Sequence, residues 1–354
     1  MTKKVLISTG GSGGHVIPAI TIYNHLKNTH ETMISTDVRG LAYLDKNYNA
    51  VVIDTPKLNN YFLLPFSFIK ILFLTVKSFF IIKKNNISIL ISTGGYMSLP
   101  LCLAAKILGI KIFLIEPNMV LGRANKFFLS FSSKLICYSK NLINLPSGID
   151  QKLTTIKPLI RKAYYESDKH LKQDNLFTIM IIGGSQGAKI FDELLNKSFV
   201  SISKKVSIKI IHQTSENNIN FLKDFYFQNN IESNVFSFDH NLNEVLKQGD
   251  LCITRAGASS LAELSFLNIP FVAIPLPLSK DNHQYENAKY YKQQDCCWII
   301  DQKNFDDQKF AKFLLELINK SEDYMTKKKN LQKLNYQNTW NNVNQKILKI
   351  INEN

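Results

Sequence analysis

Glycine-rich turns, one histidine and two polar clusters are the parts of this 354-residue sequence able to do chemistry. The turns lie in GGSGGHVIPA at 10–19, GGYMSLP at 94–100 and GGSQGA at 183–188, each directly after a short apolar run. A helix N-terminus offers unpaired N–H groups and partial positive charge, so a glycine turn leading into a helix can hold phosphate. Ser12 and Ser185, with the amides beside them such as Gly13 and Gly14, are therefore candidate diphosphate ligands. No G-x-x-x-x-G-K-[ST] occurs, which excludes a P-loop. Neither GGSGGHV nor GGSQGAK fits the dinucleotide register, and no acidic residue stands where a dinucleotide ribose needs one, so a dehydrogenase is disfavoured. His15 begins the first helical pattern. It is either a cap or packed ring, or a neutral imidazole that accepts a proton from a sugar hydroxyl.

The second half holds TRAGASSLAE at 254–263. Ser260 and Glu263 have the spacing of a capping box. The Glu263 carboxylate either closes that box or accepts hydrogen bonds from two vicinal ribose hydroxyls. Next, PLPLSKDNHQYENA at 275–288 sets Asp281, Asn282, His283, Gln284 and Asn287 behind two stiffening prolines. This is either a solvated loop or a surface for a polyhydroxylated ligand such as a sugar. No D-x-D occurs, so a carboxylate-held metal is not expected. Only four of the 43 basic residues are Arg, and a retained Arg suggests a planar, bidentate role. Arg161 and Arg255 have contexts that suit phosphate; Arg39 has none.

Short β-branched runs alternating with amphipathic stretches predict parallel-sheet α/β units. The expected strands are Val5–Ser8, Ile87–Ser92, Lys111–Ile115 and Leu135–Tyr138, then Phe177–Ile182, Ser207–His212, Val235–Phe238, Leu251–Thr254 and Phe271–Ile274. Pro146–Arg161 is polar and turn-rich and reads as a linker. VLISTGGSGGHVIPA (5–19) echoes TIMIIGGSQGAKIFD (178–192), which suggests two similar halves. Tyr324–Asn354 reads as helical. Five cysteines without ligand spacing argue against both a disulfide framework and zinc. The opening MTKKVLISTGG lacks a signal-peptide pattern, so the expected compartment is reducing and cytosolic.

The formal charge of +15 calls for an anionic partner: nucleic acid, an anionic membrane or a phosphorylated substrate. Part of it reflects a chain generally rich in Lys, Asn and Ile. No nucleic-acid-binding module is recognisable. The apolar stretch 61–82 is marginal for crossing a bilayer, since Pro65 to Ile82 spans about 27 Å as helix. Lys70 and Lys77 lie on one face of it, with Ser67 and Lys84 continuing the stripe. It is either a core helix or an in-plane helix that offers Phe66, Phe73, Phe79 and Phe80 to lipid and lysines to headgroups.

At these residues the sequence resembles the MurG family of bacterial cell-wall N-acetylglucosaminyltransferases. The likeness covers nearly the whole chain, in the family's order: the three glycine motifs, EPNMVLGRANK at 116–126, RAGASSLAEL and DNHQYENA. The resemblance implies a GT-B fold, two Rossmann-like α/β domains with parallel sheets facing across a cleft. Residues 1–160 would bind acceptor and associate with membrane, 161–336 would bind UDP-GlcNAc, and 337–354 would return as a helix to the first domain. It implies inverting, metal-independent transfer of GlcNAc from UDP-GlcNAc to the 4-hydroxyl of MurNAc in undecaprenyl-pyrophosphoryl-MurNAc-pentapeptide. UDP-GlcNAc is then a substrate, and no cofactor is implied.

In the same resemblance His15 is the base, and the turns holding Ser12, Gly13, Gly14, Gly94, Gly95 and Tyr96 take the acceptor, with Asn118. Arg161, Ser185, Ala258, Ser259 and Ser260 match diphosphate-contacting positions. Phe238 and Asp239 match those beside uracil, Glu263 the ribose ligand, and His283 and Gln284 the sugar contacts. Membrane contact falls to Phe66, Lys70, Phe73, Lys77 and Phe80. The expected place is the cytoplasmic face of the inner membrane, peripherally bound, beside other cell-wall synthesis proteins and without nucleic acid. Two departures stand out: the family's E-Q-N is Glu116-Pro117-Asn118, and its G-N-P-V-R is Lys157-Pro158-Leu159-Ile160-Arg161. The rival readings are a GT-B synthase glycosylating diacylglycerol, a non-catalytic nucleotide sensor and a nucleic-acid binder.

Overall fold

Strands buried on both faces need continuous apolar runs, and such runs organise this chain into two parallel sheets. The computed structural model describes residues 3–56, 64–166, 176–184, 189–239 and 241–353. The first sheet comprises β1 (Lys4–Ser8), β2 (Glu31–Thr36), β3 (Ala50–Val52), β4 (Ile89–Ser92), β5 (Lys111–Glu116), β6 (Lys134–Cys137) and β7 (Leu153–Thr155). Its order is β3-β2-β1-β4-β5-β6-β7. The second comprises β8 (Phe177–Ile182), β9 (Ile208–Gln213), β10 (Glu232–Phe236), β11 (Leu251–Thr254), β12 (Phe271–Ala273) and β13 (Cys297–Ile299), in the order β10-β9-β8-β11-β12-β13. The chain divides into one unit of Met1–Lys162 with Asn338–Asn354 and a second of Ala163–Gln337. Arg161 is thus among the last residues of the first unit before the chain passes to the second.

Helices cover these sheets through apolar cores. In the first unit Val5, Ile7, Ile34 and Ile91 pack with Ala19, Ile22 and Leu26 of the helix Gly13–Leu26. In the second, Ile179, Ile210 and Ile253 pack with Phe199, Leu222 and Leu314. All five cysteines are buried and free.

Two stretches differ from the sequence reading. The expected linker 146–161 contains β7, which extends the first sheet by pairing with β6. The expected C-terminal helix is two helices, Glu322–Leu334 and Trp340–Glu353, parted where Gln337 takes a left-handed φ of 62°. The second of them belongs to the first unit, where Val343, Ile347, Ile350 and Ile351 enter the core.

That final helix is fastened by a histidine. His25 stacks on Trp340 with ring centroids 3.6 Å apart, and its Nδ1–H donates to Asn344 Oδ1 at 3.2 Å. Burial lowers the His25 pKa from 6.5 to about 4, against a smaller opposing effect of Asn344. The unfolded chain therefore takes up this proton at a higher pH than the native one. The stabilisation is complete above pH 6.5 and falls as pH drops toward 4, by about 3 kcal/mol in all. Urea-unfolding midpoints should decline over that window, and His25→Phe should flatten the decline. His30 and His212 are also lowered by burial, so the comparison between wild type and variant isolates His25. An equal decline in both proteins would contradict this.

The apolar segment forms one 21-residue helix, Leu64–Lys84; Tyr61, Phe62 and Leu63 lie outside the described residues. Its inner face is Ser67, Ile71, Leu74, Thr75, Ser78 and Ile82. Ser67 is thus buried and does not continue the lysine stripe, while Thr75 and Ser78 donate to the carbonyls of Ile71 and Leu74. Opposite, Phe66, Phe68, Ile69, Leu72, Phe73 and Phe80 are each more than 60% exposed. The segment is therefore a core helix on one side and a bare apolar surface on the other.

Candidate active site

In an open parallel sheet, ligands bind beyond the carboxyl ends of the strands where the strand order reverses. In the first sheet that point lies between β1 and β4. The first two glycine turns leave these strands. Gly10, Gly11, Gly94 and Gly95 have φ of 154°, 85°, 85° and 78°. At Gly10 a Cβ would meet Met97 Cγ at 2.8 Å and Asp37 Oδ1 at 2.9 Å, so both conformation and space require glycine.

His15 lies where the two turns meet. Its ring lies against Gly95, where an added Cβ would be 3.5 Å from Nε2. Nδ1 is 2.8 Å from the Thr93 carbonyl, which can only accept, so Nδ1 carries the proton. In the neutral ring Nε2 then holds the lone pair. The side chain caps nothing; it is the His15 backbone amide that donates to the Ser12 carbonyl. Ser12 is the N-cap residue, without a side-chain cap bond, and Gly13 and Gly14 open the helix.

At the end of β5, Glu116 is buried and organises the departing loop. Its Oε1 accepts from the amide and side chain of Asn118, and Oε2 accepts from Gly122 N and Asn125 Nδ2 at 2.8 and 3.0 Å. Asn125 in turn packs under Gly94, and its Oδ1 is buried without a hydrogen-bond partner. Glu116 therefore shapes the floor of the second turn through Asn125, and it also holds Asn118 in the departing loop.

Asp37 and Arg39 join the same place, though nothing in the sequence pointed to them. Asp37 Oδ1 accepts from Gly11 N at 2.8 Å and Gly40 N at 2.9 Å, and Oδ2 from Arg39 Nε at 3.1 Å. Burial raises the Asp37 pKa, but the two amides and the guanidinium outweigh it and hold the carboxyl below its usual value.

In the second sheet the order reverses between β8 and β11. Gly184 leaves β8 with φ 78°. Ser185 and the following residues 186–188 lie outside the described residues. β11 leads through Arg255 and Gly257 into the helix Ala258–Phe266. Gly257 is the N-cap, so Ser260 is the third helical residue and the expected capping box with Glu263 does not form. Ser260 instead puts its hydroxyl between the two turns, within 3.7 Å of a Cβ on Gly184 and 3.8 Å of one on Gly257. Ala258 and Ser259 open the helix toward the same point, and Glu263 is buried within it at 6% exposure.

Arg255, expected at phosphate, is occupied elsewhere. It donates to the carbonyls of Ile274 and Pro275 and to Gln302 Oε1, and it lies over the Phe191 ring. Burial lowers its pKa. The polar loop also divides. Asp281 and Asn282 take left-handed φ of 52° and 56°, a conformation Asp and Asn tolerate. Asn287 is buried and donates to the Ala256 carbonyl. Gln284 Oε1 accepts from Ala256 N and Leu276 N, which ties the loop to the β11 turn and leaves the amide NH2 pointing to no acceptor among the described residues. His283 donates from Nδ1 to the Lys280 carbonyl and so keeps a lone pair on Nε2 in the neutral ring. Phe238 is 64% exposed after β10, and Asp239 Oδ1 accepts from Asn241 N. Among the described residues no three His, Cys, Asp or Glu side chains gather as a metal site.

Residues 5–136 match the glycosyltransferase family 28 N-terminal domain and residues 178–342 its C-terminal domain. The chain is 47% identical, over the full length of both, to the UDP-N-acetylglucosamine–N-acetylmuramyl-(pentapeptide) pyrophosphoryl-undecaprenol N-acetylglucosamine transferase of Pelagibacter ubique. The chain belongs to the MurG family. The transferase of the same name from Rickettsia felis is 34% identical over 90% of this chain and 91% of its own. Among solved structures, Acinetobacter baumannii MurG matches with TM-score 0.77 at 22% identity, covering 99% of this chain and 100% of that one. UDP-GlcNAc 2-epimerase from Neisseria meningitidis, bound to UDP-GlcNAc, matches at TM-score 0.67 and 13% identity over 99% and 100% of the two chains. The fold is thus two parallel-sheet α/β domains of the GT-B type. Because transferase and epimerase share it, the fold alone does not choose the reaction.

Proposed function

We propose that this chain transfers GlcNAc from UDP-GlcNAc to the 4-hydroxyl of MurNAc in undecaprenyl-pyrophosphoryl-MurNAc-pentapeptide, with inversion at C1. The full-length likeness to the Pelagibacter transferase supports the reaction. One geometric observation carries the mechanism: Thr93 holds the His15 Nδ1 proton, so the Nε2 lone pair is available beside the acceptor turns. His15 Nε2 takes the proton of the attacking hydroxyl, the oxygen bonds to GlcNAc C1, and the bond from C1 to the UDP oxygen breaks.

The acceptor pyrophosphate lies at Ser12–His15 and Gly94–Tyr96, with Asn118 beside them. Leaving UDP is stabilised by the first amides of the helix at Ala258, Ser259 and Ser260, with Arg161 and Ser185. Glu263 holds the ribose, the Phe238–Asp239 backbone the uracil, and His283 and Gln284 the sugar. Transfer proceeds without a metal ion, because amides and Arg161 meet the diphosphate charge. Movement of label from UDP-GlcNAc to a short-chain lipid acceptor, unchanged in EDTA and giving a β-linkage, tests the reading.

The chain acts on the cytoplasmic face of the plasma membrane. Phe66, Phe73 and Phe80 of the helix Leu64–Lys84 enter the lipid boundary, while Lys70 and Lys77 meet anionic headgroups. Each such lysine is worth about 1 kcal/mol near an anionic surface. The double variant Lys70→Glu with Lys77→Glu should therefore bind anionic vesicles at least about tenfold more weakly in a flotation assay. Unchanged binding at low salt would sink this docking mode.

A further inference from the structure

We infer that Arg39 is a ligand of the acceptor's pyrophosphate and the bridge that makes one anion cradle of two glycine turns. The inference rests on the proposed acceptor but names a residue outside the turns. The segment Asp37–Gly40 reaches the first turn from 26 residues along the chain. Gly40 seats against it with no room for a side chain: a Cβ there would collide with Thr36 Oγ1 and stand 3.3 Å from Gly10 Cα. From this seat Arg39 Nε donates to Asp37, whose other oxygen holds the Gly11 amide, and Nη2 donates to Tyr96 OH at 2.6 Å. One guanidinium therefore connects the β1 turn, through Asp37, with the β4 turn, through Tyr96.

The guanidinium also has donors to offer. It carries five N–H groups, and among the described residues two of these are taken, by Asp37 and Tyr96. Asp37 is 1% exposed whereas the Arg39 side chain is 49% exposed, so the outer side of the pair presents N–H groups and the carboxylate is turned inward. Nη2 lies 3.6 Å from where a Gly11 Cβ would stand, over the backbone of the turn itself. A planar fork fixed on two sides, with its remaining donors at a glycine turn, suits the oxygens of a diphosphate. An ammonium on a lysine cannot hold Asp37 and Tyr96 in that plane while also meeting a ligand.

The test measures KM for a short-chain lipid-pyrophosphoryl-MurNAc acceptor and for UDP-GlcNAc, in wild type, Arg39→Gln, Arg39→Lys and Tyr96→Phe. Arg39→Gln should raise the acceptor KM about 10–100-fold, as loss of a charge-assisted contact does, with the UDP-GlcNAc KM within about twofold. Arg39→Lys should recover part of this loss, and Tyr96→Phe should raise the acceptor KM several-fold by freeing the fork. A second arm titrates inorganic pyrophosphate in the presence of saturating UDP and needs no turnover; binding should weaken in Arg39→Gln. Wild-type acceptor KM and pyrophosphate binding in folded Arg39→Gln would overturn the inference, as would donor and acceptor KM rising together. A wild-type chain that fails to transfer, yet binds pyrophosphate through Arg39, would instead contradict the proposed reaction alone.

Discussion

His15→Ala should lower kcat about 10²- to 10⁴-fold with donor and acceptor both saturating, the range lost when a positioned general base is removed. The ring is half-buried at the third position of its helix, and alanine suits a helix, so the variant should fold with little change in its unfolding midpoint. The acceptor KM separates two roles. A base acting only as the hydroxyl attacks lowers kcat and leaves KM nearly unchanged, whereas a phosphate ligand raises KM. Thr93 favours the first role, because its carbonyl fixes the tautomer whose Nε2 accepts a proton. Near-normal kcat in His15→Ala would remove the base assignment.

Glu263→Gln should raise the UDP-GlcNAc KM about 10- to 100-fold, since it removes one of the two acceptors for the ribose hydroxyls and a hydrogen bond to a buried carboxylate is worth about 1.5–3 kcal/mol. Glutamine keeps the volume and the helix and removes only the charge and one acceptor. A donor analogue lacking the ribose 2′-hydroxyl supplies the coupling measurement. Wild type should use it poorly, and Glu263→Gln should hardly distinguish it from UDP-GlcNAc. Equal discrimination by both proteins would place the ribose elsewhere. Glu263 suits the role because it lies at 6% exposure in the helix that opens beside the β8–β11 reversal.

The strands flanking the reversals were legible because they are unbroken apolar runs: Phe177–Ile182 and Leu251–Thr254 appear with the bounds expected. β2 escaped because Thr32, Ser35 and Thr36 are buried, so its run does not look apolar. β7 (Leu153–Thr155) escaped because two of its three residues are threonine, whereas β3 and β13 lie in the short apolar runs Ala50–Ile53 and Cys296–Ile300, which the reading did not assign as strands. Glycine turns were legible because their chemistry is local. The capping box was misread because Gly257 took the cap and pushed Ser260 into the helix. Arg255 was misjudged because its acceptors are carbonyls 19 and 20 residues away, which a motif does not show. Arg39 was passed over for the same reason, since Tyr96 is 57 residues distant.

The most direct test of the transfer reaction is incubation of the purified chain with labelled UDP-GlcNAc and a short-chain polyprenyl pyrophosphoryl-MurNAc-pentapeptide. Label should appear lipid-linked in a β-linked GlcNAc–MurNAc disaccharide, dependent on His15 and on the acceptor. Release of free GlcNAc or an epimerised sugar nucleotide without acceptor glycosylation, or transfer to diacylglycerol in its place, would contradict it.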